Sequence, residues 1–221
     1  RHPGSGTDPL GALDWRRVQM SSSASTALIT GFPKLLARGL TLHGLRRNSR
    51  SRVVLLVNTS MQEAARSFID ELPSGQRRRV RLLAGSLQAG DLGLTGKEVS
   101  KLLETITHIF HPAGVTGGSR AEQTASLNEL NRLLQLAKDC QKIQRICLFT
   151  TAFVSGNRTG IIYEEDLAAG QSLRSPYEEA MYTAETIARA SMPRLPITVC
   201  RPSAMIGHSR TGDASEEADA G

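Results

Sequence analysis

Ala27-Leu28-Ile29-Thr30-Gly31-Phe32-Pro33-Lys34-Leu35-Leu36-Ala37-Arg38 opens on a short apolar run, crosses a glycine and continues into a segment of helical period. The same change of period recurs down the chain. Val53-Val54-Leu55-Leu56-Val57, Val80-Arg81-Leu82-Leu83, Ile106-Thr107-His108-Ile109-Phe110, Ile146-Cys147-Leu148-Phe149 and Ile197-Thr198-Val199-Cys200 are five further runs. β-branched stretches of this length, bounded by polar residues, read as strands buried on both faces.

The segments between them carry helix-start chemistry. Ser60 with Glu63, Thr95 with Glu98, Ser119 with Glu122, and Ser175 with Glu178 all have capping-box spacing. In such a pair the hydroxyl accepts the N3 amide proton, while the glutamate reaches back to the cap amide. Pro176 stands at a first helical position, where its missing N–H costs nothing. Repeated strand–helix alternation forces right-handed crossovers and a parallel sheet covered on both faces. The expected fold is therefore α/β, a doubly wound parallel sheet of the Rossmann type with about six strands and five helices. Ligands of such sheets bind at the carboxyl ends of the strands, where the strand order reverses. The loops to search follow Thr30, Val57, Ala84, His111, Thr151 and Arg201.

Residues 25–210 make up this domain. Residues 1–24 are rich in Gly, Pro, Ser and Arg without a sustained period, and are expected to form an irregular or disordered arm. Met20, just ahead of Ser21-Ser22-Ser23, reads like a natural start. Residues 211–221 are small and acidic and are expected to be a disordered tail.

The chain has 221 residues, a length suited to one domain. No apolar run approaches the roughly 18–20 residues of a membrane span, and no secretory signal is evident, so a cytoplasmic location is expected. The net charge of +6 raises the question of nucleic acid. The basic residues are scattered apart from Arg77-Arg78-Arg79, arginine outnumbers lysine as a GC-rich genome would give, and aromatics are only 4%. Base-stacking platforms lack material, and the composition argues against a nucleic-acid partner. Cys140, Cys147 and Cys200 are too far apart for a zinc site or a disulfide framework, and read as reduced, buried thiols. His108 and His111 have ligand-like spacing but no third ligand nearby, so no metal is expected.

The strand-end loops carry a resemblance. Thr30-Gly31-Phe32-Pro33-Lys34-Leu35-Leu36-Ala37 resembles the TGxxGxxG loop of the extended short-chain dehydrogenase/reductase family, in its fatty-acyl and thioester reductase (male-sterility-type) branch. Ala84-Gly85-Ser86-Leu87 with Asp91-Leu92-Gly93-Leu94 is similar to the branch's GD…LGL stretch. His111-Pro112-Ala113-Gly114 is similar to its HxAA motif. Thr150-Thr151-Ala152-Phe153-Val154-Ser155-Gly156 resembles STAxVxG, and Arg201-Pro202 through Gly207 resembles the RPxxxxG loop.

The resemblance spans roughly residues 24–213 and implies NADP (or NAD) as cofactor. Gly31, Pro33, Lys34, Leu35, Asn58, Ser86, Leu87, Pro112, Ala113, Gly114 and Pro202 would be the contacts. It also implies that Thr151 holds a substrate carbonyl and that Tyr177 is the general acid or base. The departures fall on the same loops. Lys34 replaces the glycine that lets the backbone approach the pyrophosphate, although its ammonium attracts phosphate. Ser86 stands where an adenine-contacting aspartate is expected. Asn58 replaces the acid usual with NAD, and Arg46, Arg47, Arg50 and Arg52 nearby in sequence lean toward NADP.

Met181 takes the lysine place of YxxxK, where positions i and i+4 share a helical face. Without an ammonium there, a phenol titrates near 10 and is a poor base at neutral pH. The resemblance implies about a hundred further residues that build a substrate domain, which is expected to be missing here.

Two readings follow. One is a degenerate relative, a pseudoenzyme that keeps the NAD(P)-binding scaffold and serves a protein partner or self-association. The other is an active NADP-dependent oxidoreductase reducing an acyl thioester, aldehyde or ketone through Tyr177 and Thr151.

Overall fold

The computed structural model describes residues 24–112 and 119–203. Six strands, β1 (Thr26–Ile29), β2 (Arg52–Val57), β3 (Val80–Ala84), β4 (His108–His111), β5 (Arg145–Phe149) and β6 (Ile197–Cys200), form one sheet in the order β3-β2-β1-β4-β5-β6. Every pair is parallel. The order reverses between β1 and β4, so the two crossovers leaving that point run to opposite sides and open a crevice above the strand ends. The expected doubly wound sheet is the observed one. The Ala113 and Gly114 sites, the arm over residues 1–23 and the tail over 211–221 lie outside the described residues.

Six helices, α1 (Leu35–Arg47), α2 (Gln62–Asp70), α3 (Ser74–Arg77), α4 (Gly96–Thr105), α5 (Arg120–Asp139) and α6 (Pro176–Ser191), supply the outer layers. On one face Leu28, Val54, Ile109, Ile146 and Leu148 pack with Leu102 of α4, Leu130 and Leu133 of α5, and Ala188 of α6. On the other, Ile29, Val53, Leu55 and Val57 pack with Ala37 and Leu45 of α1 and Ala65 and Phe68 of α2. Alternate residues of β1 and β2 enter opposite layers, which is why these central strands are apolar after their first residues, Thr26 and Arg52. β6 is an edge strand, and all four of its residues are only partly buried. The expectation of burial on both faces fails there and at β3, the other edge strand, where Arg81 and Ala84 are exposed, because the helices cover the two edges of the sheet incompletely.

The capping expectations divide. Thr95 and Ser119 form complete capping boxes with Glu98 and Glu122. Ser175 accepts from the Glu178 amide ahead of Pro176, but the Glu178 carboxylate takes the Arg174 amide and guanidinium instead of the Ser175 amide. Ser60 is not a cap. It lies inside a single 3-10 turn over Thr59–Met61, and α2 begins only at Gln62. That turn leaves the serine hydroxyl too early in the chain to reach the first free amides of α2. Ser119→Ala is expected to lower stability by about 1 kcal/mol, read as a shift of the urea midpoint with unchanged slope.

Candidate functional site

A crevice of about 300 Å3 lies at the switch point, lined among others by Gly31, Lys34, Asn58, Ser86 and Leu87. Its floor is the turn after β1. Gly31 has φ +72°, a left-handed conformation that glycine adopts without steric cost. The Lys34 amide donates to the Gly31 carbonyl at 3.1 Å, which closes the turn and starts α1 directly above the sheet. Lys34 is the N-cap of α1 but its side chain does not cap the helix, so the first amides of α1 have no side-chain acceptor there. Oriented amides at a helix start favour an anionic group.

The wall after β3 is held by close backbone contact. A Cβ on Gly85 would lie 2.4 Å from the Leu92 carbonyl oxygen, so only glycine fits there. That same carbonyl accepts from the Ser86 amide at 2.9 Å, and the Ser86 hydroxyl accepts from the Gln88 amide at 3.1 Å. Ser86 thus supports the loop that borders the crevice. Leu87 lines the crevice but is mostly core, at 5% exposure.

Beneath the crevice, His111 at the end of β4 is buried. Its Nδ1 shares a hydrogen bond of 2.7 Å with the Thr30 hydroxyl across the switch point. Burial pushes its imidazole down to about 4, and the Lys34 charge acts in the same direction. His108 faces the other side of the sheet, because residues three apart on a strand point oppositely. It pairs with Thr107 at 2.8 Å, so the two histidines do not converge on a metal position.

The opposite wall was not legible in the sequence. Glu122, Ser126 and Glu129 of α5 line the crevice, a stripe at i, i+4 and i+7. Gln88 reaches over to donate to Glu129 Oε1 at 2.6 Å. Arg132, one turn on, donates to the carbonyls of Leu87 and Gln88 and so ties α5 to the β3 loop. The capping box at Ser119 with a polar stripe behind it was the available signal. Pro33, Leu35 and Pro112 are not among the residues lining this crevice.

The arginines that lean toward NADP in the sequence lie elsewhere. Arg46 and Arg47 occupy the last turn of α1 and Arg52 begins β2, whereas Asn58 follows its far end. Six strand residues span about 20 Å. The four arginines therefore sit at the amino edge of the sheet, opposite the crevice, and offer nothing to a phosphate on the ribose.

A second group gathers where β5 and β6 end. The Ala152 amide donates to the Pro202 carbonyl, and the Thr150 amide to the Cys200 carbonyl, each at 2.9 Å. Thr151, 4% exposed, caps the short turn Ala152–Ser155 by accepting from the Phe153 amide. Val154 of that turn packs with Leu167, Ala180 and Met181, and Tyr177 lies against the same cluster. The fold thus sets Tyr177 against an apolar cluster that holds Met181, 3% exposed, while Thr151 caps the turn that brings Val154 into it.

Next to this cluster Glu185, with no exposed surface, joins three elements. Its carboxylate takes Arg201 of the loop after β6 at 2.6 Å, Arg189 one turn along α6 at 2.8 Å, and the Thr150 hydroxyl at 3.2 Å. Burial alone would raise this carboxyl, but the hydrogen bonds and charges of Arg201 and Arg189 outweigh it and hold it below the usual range. The same arginines donate to the carbonyls of Glu164, Glu165 and Asp166, pinning the loop between β5 and α6. The thiols are ordinary by comparison. Burial raises Cys140 and Cys147 to about 11, and both stay protonated at neutral pH.

A family model for an NAD-binding domain, described as male sterility protein, matches residues 29–220. The chain belongs to that family. Its scaffold is that of the extended short-chain dehydrogenase/reductases. Among solved structures, this male-sterility-type domain is similar to the terminal R domain of the myxalamid PKS-NRPS pathway. The TM-score is 0.72 with 27% identity over 87% of this chain and 52% of that one. The reductase (R) domain of a non-ribosomal peptide synthetase from Mycobacterium tuberculosis follows, at TM-score 0.60, 21% identity, and 86% and 50% coverage. UDP-glucuronic acid 4-epimerase from Bacillus cereus, solved with NAD, shares the fold at TM-score 0.63, 20% identity, and 82% and 57% coverage. The chain thus spans about half the length of these structures. No curated protein matches it. Among the described residues no helix is long and apolar enough to cross a membrane.

Proposed function

We propose that this male-sterility-type domain binds a nicotinamide dinucleotide in the crevice at the β1–β4 switch point, and that its hydride-transfer chemistry is impaired. The observation carrying the second half is Met181. One helical turn after Tyr177, it contributes a thioether to the cluster of Val154, Leu167 and Ala180, where a reductase of this type would hold an ammonium. An apolar side chain at that place neither lowers a phenol's pKa nor holds a ribose hydroxyl.

The residues of the crevice fit the dinucleotide. The Gly31 turn and the first amides of α1 would take the pyrophosphate, with the Lys34 ammonium adding charge from beside the turn. Asn58 would meet the adenosine ribose, and Ser86 and Leu87 would flank the base. Bound there, the dinucleotide would supply or accept a hydride, and Thr151 would orient a carbonyl beside Tyr177. A second reading is an active reductase of an acyl thioester, aldehyde or ketone. The buried Thr151 hydroxyl and the 27% identity to a terminal R domain favour it.

Titration of the purified chain with NADH and NADPH, followed by fluorescence and thermal shift, separates these. Micromolar binding is expected, with turnover of an aldehyde or acyl thioester at least about 100-fold below that of Met181→Lys. Rapid turnover by the unmodified chain that is lost in Tyr177→Phe establishes the second reading instead. No thermal shift with either dinucleotide at millimolar concentration removes both.

A further inference from the structure

The charges around the crevice differ from those the sequence suggests. Lys34, the one lysine among the described residues that line it, stands at the start of α1, where a pyrophosphate sits in this fold. The residue after β2, which would meet the adenosine ribose, is the neutral Asn58. Across the same crevice α5 presents two carboxylates, Glu122 and Glu129. Arg132 is spent on the carbonyls of Leu87 and Gln88, and Arg38 lies over the Phe68 ring with 5.4 Å between guanidinium carbon and ring centroid. Arg46, Arg47, Arg50 and Arg52 are at the other edge of the sheet.

We infer that the crevice selects the dinucleotide with a free ribose 2′-hydroxyl, NAD, over its 2′-phosphorylated counterpart. This rests on the reading of the crevice as a dinucleotide site. An adenosine offers donors, two ribose hydroxyls and an exocyclic amine; Asn58 and Glu129 offer acceptors, as does the Glu122 carboxylate through the oxygen that does not take the Ser119 amide and hydroxyl. The Gln88–Glu129 hydrogen bond of 2.6 Å holds one carboxylate in place on the crevice wall. A 2′-phosphate would add up to two negative charges facing that wall. Like charges repel there, and among the described residues no arginine lines the crevice to offset them. Selection thus arises from repulsion as well as from hydrogen bonding.

The test is calorimetric titration of the full chain with NADH and NADPH at low and high salt, alongside Glu129→Gln and Asn58→Arg. NADH is expected to bind at least about tenfold more tightly at low salt, with the gap narrowing as salt screens the carboxylates. Glu129→Gln should narrow the gap mainly by improving NADPH, and Asn58→Arg should reverse it. Equal or tighter binding of NADPH by the unmodified chain overturns the selectivity while leaving the dinucleotide site intact. Failure of both dinucleotides to bind at millimolar concentration overturns the site itself, and the selectivity with it.

Discussion

Glu185→Ala is expected to destabilise the domain by about 3–5 kcal/mol, the range for removing one partner of a buried ion pair. The carboxylate has no exposed surface and is shared between Arg201 and Arg189, whose side chains are 16% and 30% exposed. Its removal leaves the Arg201 guanidinium largely out of water with, among the described residues, the Asp166 carbonyl as its remaining acceptor. Thr150 loses its acceptor at the end of β5, one residue before Thr151. The loop between β5 and α6 should loosen as well, since both arginines reach its carbonyls. Urea unfolding measures the first effect, and faster proteolysis within residues 157–174 the second. A midpoint unchanged within about 1 kcal/mol would show that the ion cluster carries no net stability.

Acid should weaken the fold well above the pH at which carboxylates titrate. The folded value of His111, about 4, lies below the ordinary 6.5, so between these limits the unfolded chain binds the extra proton. Stability then rises with pH across that window and is fully present above about pH 6.5. That difference corresponds to about 3 kcal/mol, most of it lost by about pH 4.5. His108, lowered by burial and by Arg145, adds in the same direction. Glu185 acts lower on the scale. Its depressed carboxyl contributes stability that is lost only as pH falls below the ordinary glutamate value. Urea midpoints measured from pH 4.5 to 7 should therefore slope steeply in the unmodified chain and much less in His111→Gln. An equal slope in both would place the titration elsewhere.

Local sequence carried the strands and most helix starts. Apolar runs of strand length fall where β1, β2, β5 and β6 form, and Thr95 and Ser119 begin α4 and α5 as full capping boxes. These features depend on residues within about four positions of one another, which is the reach of capping and of side-chain periodicity. Alternation then left the doubly wound parallel sheet as the simplest packing. The turn at Gly31 and the places of Lys34, Asn58 and Ser86 on the crevice followed, since each stands at the carboxyl end of a strand.

What the sequence determined by itself is thus the α/β order, the sheet type, and the end of the sheet at which a ligand would bind. Only the tertiary structure decided which distant side chains share that end. Arg46 and Arg52 are near Asn58 in sequence, yet a strand's length parts them from it. Glu122 and Glu129, some seventy residues away, face the same crevice. Glu185 looks like one more helical glutamate until the loop after β6 brings Arg201 against it. The reason is geometric. Parallel crossovers carry the chain across the whole sheet between one strand end and the next, so neighbours in the site are distant in sequence.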